Sequence, residues 1–143
     1  MAKTKYGKYI ITKGKSEIVR APWEPIFPPE ELTHIMYLDS EVVEGAFYSE
    51  CAWFWPIKGG STIEGKPHKH DFDEVLAFLG TNREDPHDLC AELEVRLGDE
   101  KHTVTKSCMI FAPKGLQHGP FTFTRIDRPV FHFSCGMTHK YTP

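Results

Sequence analysis

The stretch Gly65-Lys66-Pro67-His68-Lys69-His70-Asp71-Phe72-Asp73-Glu74 sets two imidazoles two residues apart, with a carboxylate four residues after the second. Side chains alternate faces along an extended chain, so positions of equal parity share one side. His68, His70 and Glu74 then point the same way, and so do Leu76 and Phe78 further along. That places three metal-ligand groups at one end of an apolar wall. Two neutral nitrogen donors and a carboxylate suit Fe, Mn, Ni, Co, Cu or Zn and leave coordination positions open for a substrate. A further ligand has to come from another part of the chain, and Ala112-Pro113-Lys114-Gly115-Leu116-Gln117-His118 offers one. The expectation is one divalent transition metal per chain, held by two half-sites. Its identity is open, because such ligand sets follow the general affinity order of the first-row ions.

Other chemistry-bearing residues divide by their surroundings. Asp71 and Asp73 are alternative carboxylates, but their odd parity turns them outward. His34, His87, His102 and His139 read as ordinary surface or loop histidines. His132 lies in the apolar run Val130-Phe131-His132-Phe133-Ser134. It reads first as a hydrogen-bonded core histidine and second as a pocket acid or base. Tyr48 and Glu50, on the segment ahead of the metal motif, are the other candidates for proton transfer. Cys51 on that segment is read as packing, with a pocket role as the alternative. Trp53, Trp55, Phe78, Phe111, Phe121, Phe123, Phe131 and Phe133 read as mostly core, with a few walling a metal cavity.

The elements that must position these groups are strands. His34–Leu38, Gly45–Trp55, Leu89–Leu97, Lys101–Thr105, Cys108–Ala112, Phe121–Arg125 and Val130–Cys135 are extended-type runs separated by turn compositions. Leu89–Leu97 alternates cleanly, with Ala91, Leu93, Val95 and Leu97 opposite Glu92, Glu94 and Arg96, and Gly98-Asp99-Glu100 turns it into a hairpin. The run 51–55 is apolar on both parities, as in a strand covered on both sides. Pro56–Gly65, with Gly59-Gly60, reads as a loop, and so does the charged segment 81–88. Before the strands come a short apolar run, Tyr9-Ile10-Ile11, read as an arm or edge strand, and the proline-rich segment 21–33. Pro22, Pro25, Pro28 and Pro29 exclude ladder pairing there, while Trp23, Ile26 and Phe27 suggest a belt laid across the body. No amphipathic helix stands out. Short strands at regular spacing imply an all-β sandwich or barrel.

Composition narrows the classes. The 143 residues suffice for one domain with a sizeable core. Residues 1–44 are read as an N-terminal arm, belt and first strands packed on a barrel formed by 45–143. A formal net charge of -3 argues against a nucleic-acid binder. No apolar run approaches the ~20 residues of a membrane span, and Met1–Tyr6 lacks the apolar core of a secretory signal. The four cysteines, Cys51, Cys90, Cys108 and Cys135, form no Cys-x-x-Cys pair, so zinc-ribbon and thioredoxin readings fail. A cytoplasmic protein with free thiols is expected.

These motifs resemble those of the cupin superfamily. Its first motif is a glycine, His-x-His, three or four residues, Glu and a closing glycine, matched here by Gly65, His68, His70, Glu74 and Gly80. The gaps from Gly65 to His68 and from Glu74 to Gly80 are shorter than usual. Its second motif, Gly-x5-Pro-x-Gly-x2-His-x3-Asn, is matched by Pro113, Gly115 and His118, with Ser107 or Cys108 at the first glycine and Thr122 at the Asn. The resemblance covers roughly residues 45–135 and implies a double-stranded β-helix, or jelly roll, with metal ligands His68, His70, Glu74 and His118. It also selects Glu74 over the two aspartates. Cupins include dioxygenases, decarboxylases, isomerases, epimerases, lyases and plain binding domains, so fold does not give the reaction. The expected function is a metal-dependent enzyme acting on a small molecule. The alternatives are a non-catalytic binding or sensing module and an accessory subunit of a larger enzyme. The belt and the doubly apolar strand imply a homodimer.

Overall fold

The computed structural model describes residues 4–22, 24, 26–57, 61–62 and 65–143. Trp23, Pro25 and Gly59-Gly60, which the sequence places in the belt and in a turn, lie outside the described residues.

Among the described residues, nine strands form two antiparallel sheets. They are β1 (Leu32–Leu38), β2 (Ser49–Phe54), β3 (Ser61–Thr62), β4 (Glu74–Gly80), β5 (Asp88–Leu97), β6 (Glu100–Lys106), β7 (Cys108–Ala112), β8 (His118–Ile126) and β9 (Val130–Gly136). One sheet runs β1-β2-β9-β4-β7 and the other β3-β8-β5-β6. Among the described residues the helical element is a single 3-10 turn at Gly7–Tyr9. The all-β expectation therefore holds, and the two sheets face one another as a jelly-roll sandwich.

The alternation seen in the sequence is what buries the core. Leu89, Ala91, Leu93 and Val95 of β5 point inward and meet Phe121, Phe123 and Ile126 of β8, with Leu76 and Phe78 of β4 and Phe54 of β2 from the facing sheet. Each fully buried Leu or Phe contributes about 1.5–3 kcal/mol, so this cluster fixes the register of both sheets. A smaller cluster of Tyr37, Tyr48, Phe72 and Tyr141 sits apart from it, packed by Ile18. It joins the N- and C-terminal segments to the strands.

Glycine is required at the end of β4 by proximity. A Cβ on Gly80 would lie 2.0 Å from the Asp88 carbonyl oxygen, so the strand can pass the start of β5 only without a side chain.

Three expectations need correction. The segment 42–45 is turn and bend, 46–48 has no regular structure, and β2 begins only at Ser49; Gly45, at φ 83°, takes the left-handed conformation that ends extension there. Tyr9-Ile10-Ile11 makes no strand, and Tyr9 and Ile10 are exposed. The arm instead joins the sheet at one bridge, where the Lys15 and Tyr37 backbones exchange hydrogen bonds at 2.9 and 3.0 Å. The Pro56–Gly65 loop contains β3, which pairs Ser61 with Phe123 and Thr62 with Thr122.

Candidate metal centre

Two backbone links assemble the two half-motifs. His68 and His118 stand directly opposite each other, exchanging N–H···O bonds of 2.9 and 2.8 Å. The Gly115 N–H donates to the His70 carbonyl at 3.0 Å, from a turn in which Gly115 has φ 82°. Only a residue free of a Cβ takes that conformation without strain. The parity reading survives although regular pairing starts only at Glu74: His70, Phe72, Glu74, Leu76 and Phe78 are all buried.

The ligand-type atoms of His68, His70 and His118 lie within 4.8 Å of one another. Glu74 Oε2 is 3.1 Å from His70 Nε2 and 3.6 Å from His118 Nε2. The second ring nitrogens are all committed to backbone carbonyls. His70 Nδ1 donates to Thr142 at 3.0 Å, His118 Nδ1 to Leu116 at 3.0 Å, and His68 Nδ1 to Lys66 at 3.2 Å. A proton on Nδ1 leaves Nε2 with a lone pair, and such backbone contacts are how metal-binding histidines are oriented. Among the described residues, His70 Nε2 and Glu74 Oε2 are both buried without a hydrogen-bond partner. Two such acceptors facing each other at 3.1 Å are costly in a dry interior unless a cation lies between them. The donor set of three imidazoles and a carboxylate fits a divalent transition ion.

Electrostatics keep these groups in the ligating state. Burial works to raise the Glu74 pKa, but His118 and His70 outweigh it and bring the carboxyl down to about 2. Burial first, and then the neighbouring His118, lower His68 to about 4. At neutral pH the site therefore offers a carboxylate and a neutral imidazole. The two aspartates face away, as parity requires: Asp71 pairs with Lys114 Nζ at 2.9 Å, and Asp73 accepts the Lys114 N–H at 2.7 Å.

Beside these groups lies a cavity of about 100 Å³. Leu32, Ala52, Phe54, Leu76 and Phe78 give it apolar walls, and His68 and Glu74 stand at one end. All three proton-transfer candidates, Tyr48, Glu50 and His132, line it. Glu50 accepts from Ser134 Oγ at 2.8 Å and from His34 Nε2 at 3.1 Å. With the Ser134 proton committed to Glu50, the Tyr48 hydroxyl donates to Ser134 Oγ at 3.4 Å. His132 donates from Nδ1 to the Ala77 carbonyl at 2.8 Å and stacks on Phe78. Burial pushes the Tyr48 hydroxyl pKa well up and the His132 pKa down. For Glu50, burial is outweighed by the His34 hydrogen bond and, after it, that from Ser134, and its pKa is lowered from the usual carboxylate value.

Sequence reasoning missed His34. It belongs to the cavity wall, stacked on Tyr37 at 3.8 Å and bonded to Glu50. The cause is an irregularity in β1, where the pairing register shifts between His34 and Met36. The shift lets an even residue and the odd Tyr37 face the same way. His87, His102 and His139 are exposed, as expected. The chain termini supply further wall: Ile18, Arg20, Glu24 and Phe27 from the arm and belt, and Tyr141 from the other end. Ile26, by contrast, is 91% exposed and does not pack as the belt reading requires.

No protein-family model matches the sequence, and no curated protein matches it. Solved structures do. The polyketide cyclase RemF from Streptomyces resistomycificus has a TM-score of 0.51 at 22% identity, over 92% of this chain and 78% of that one. A recombinant oxalate oxidase in complex with glycolate has a TM-score of 0.53 at 15% identity, over 97% of this chain and 63% of that one. A second oxalate oxidase structure gives 0.52 at 15% identity, over 91% and 60%. This chain thus spans less than two thirds of the oxalate oxidase chains. At such identities the likeness concerns the backbone, and with two facing antiparallel sheets and a His-x-His···Glu···His cluster at one end, the chain has the cupin fold.

Proposed function

We propose that this chain is a small-molecule enzyme that depends on one divalent transition metal held by His68, His70, Glu74 and His118. The observation that carries the reading is the buried pair of unpartnered acceptors, His70 Nε2 and Glu74 Oε2, 3.1 Å apart. A bound ion would supply Lewis acidity to an oxygen of the ligand. The chain's own residues do the rest. Phe54, Leu76 and Phe78 exclude bulk water from the cavity. Thr142, Leu116 and Lys66 carbonyls aim the imidazoles. Glu50, ionised and reaching the cavity, is the proton acceptor of the three candidates, since Tyr48 keeps its proton and His132 is held as a neutral, hydrogen-bonded wall.

Elemental analysis of protein purified without added metal, beside a His70→Ala variant, tests this. Near-stoichiometric iron, manganese, nickel, cobalt, copper or zinc is expected in the wild type and a loss of at least tenfold in affinity in the variant, the scale of removing a ligand or its orienting partner. Absence of metal from the wild type, with no uptake on titration, would overturn the assignment and leave a non-catalytic binding module as the better reading. The neighbours' names, a cyclase and an oxidase, do not choose between reactions.

We further propose that the chain forms a homodimer through the outer face of the five-stranded sheet. Trp53 and Phe131 pack edge to face at 5.1 Å there, beside Phe133. Met109 and Phe111 on β7 are exposed. Outward aromatic and methionine side chains in one sheet face suit a partner surface. The four free cysteines are consistent with a reducing, cytoplasmic compartment. No helix among the described residues is long and apolar enough to cross a membrane.

A further inference from the structure

The cavity has a second polar end, formed by residues that no metal-ligand pattern calls for. Glu50 lies two strands from Glu74 in the same sheet, since β2 and β4 flank β9, which is roughly 9–10 Å across. Its carboxylate is 20% exposed and receives hydrogen bonds from His34 and Ser134. Tyr37 lines the same cavity, and its hydroxyl accepts from Arg20 Nη2 at 2.7 Å. A carboxylate has room for about four such bonds. Among the described residues His34 and Ser134 fill two, which leaves acceptor capacity on a carboxylate that lines the cavity.

We propose that Glu50 is the anchor of a recognition subsite for a hydroxyl group, and that the ligand is a neutral, hydroxylated compound of about three carbons. The size follows from the space. The cavity of about 100 Å³ is well below the ~300–1,000 Å³ of pockets for drug-sized ligands. The neutrality follows from charge. Among the described residues, Glu24, Glu50 and Glu74 face the cavity against Arg20 and the imidazoles of His34, His68 and His132, and a divalent cation beside Glu74 would balance the remaining negative charge. A neutral donor satisfies the open carboxylate position without disturbing that balance, whereas an added carboxylate would sit against Glu50. His34 and Ser134 are positioning residues: they fix the carboxylate by hydrogen bonds at 3.1 and 2.8 Å. Only the charge balance rests on the metal reading.

The test is a titration of the full chain, zinc-loaded, with 1,3-dihydroxyacetone, glycerol, sorbitol and ethanolamine, followed by backbone amide shifts in NMR. The three-carbon compounds should bind and shift residues 34, 50 and 134, while six-carbon sorbitol should not. Glu50→Gln should weaken binding about tenfold, the difference between a charge-assisted and a neutral hydrogen bond. Ser134→Ala keeps the carboxylate, frees one of its acceptor positions and should weaken binding less; it serves if the first variant does not fold. Equal binding of sorbitol, preference for ethanolamine, unchanged affinity in Glu50→Gln, or no binding of either three-carbon compound would each overturn the proposal. Failure to take up zinc would defeat the metal reading alone. The same titration on metal-free protein then decides the Glu50 subsite, with loss of binding in Glu50→Gln supporting it and no such loss rejecting it.

Discussion

At the residue scale the central feature is an imidazole nitrogen and a carboxylate oxygen 3.1 Å apart, a pair that needs a proton or a cation between them. His68 at about 4 and Glu74 at about 2 both lie below their ordinary values. The sign of the consequence is the same for both. Between pH 6.5 and 4 the unfolded chain holds a proton on His68 that the folded chain does not, and between 4.5 and 2 the same is true of Glu74. Stability of the metal-free protein therefore rises with pH across both windows and falls on acidification. Urea denaturation at pH 7 and pH 5 checks it: the metal-free wild type should be less stable at pH 5, and His68→Gln should show a smaller difference. Equal pH sensitivity in the two would contradict the assignment. The proposed ligands could be picked out in the sequence because parity alone aligns His68, His70 and Glu74. His34 was not, because nothing in Thr33-His34-Ile35-Met36 announces the register shift that turns it inward.

At the scale of elements, the strands build the walls and the two terminal segments close them. The arm is fastened by Lys15, whose Nζ lies 2.7 Å from Asp39, a carboxylate only 1% exposed, and which also pairs with Glu41. Lys140 reaches Glu41 at 2.7 Å from the other end of the chain. Lys140 and then Lys15 hold the Glu41 carboxyl down to about 2. That contribution is present above pH 4.5 and is lost as pH falls toward 2, so the protection factors of the Lys15 and Tyr37 amides, referred to the intrinsic rate at each pH, should fall at pH 3 relative to pH 6. Lys15→Met strands the Asp39 charge and should cost about 1–3 kcal/mol in urea unfolding. Gly80→Ala tests the crossing of β4 and β5. With a Cβ 2.0 Å from the Asp88 carbonyl, it should destabilise by at least about 1–3 kcal/mol, as overpacking does, and a neutral effect would show that the crossing is looser. The strands of the core were legible because their period is two and their turns carry Gly, Asp and Pro. The contributions of Arg20, Glu24 and Tyr141 were not, since irregular terminal segments have no period from which an inward face can be read.

At the scale of the whole molecule, the facing sheets bury one side of each strand, and the outer face of the larger sheet stays apolar. Sedimentation should give twice the 16.4 kDa chain mass, and Phe131→Glu combined with Phe111→Glu should return the monomer without loss of metal. A wild type sedimenting as a clean monomer would contradict the dimer and leave the metal centre untouched, because every proposed ligand comes from a single chain. The doubly apolar run 51–55 made this face legible, while β7, with Met109 and Phe111 exposed on its edge, entered it only through the sheet order. The central claim concerns which atoms meet the ion, and X-ray absorption on the zinc-loaded protein measures that directly. The account requires about three imidazole nitrogens at ~2.0–2.1 Å and a carboxylate oxygen at ~2.0–2.2 Å, with one nitrogen fewer in His118→Ala. A sulfur shell near ~2.3 Å, or an environment unchanged in that variant, would contradict it.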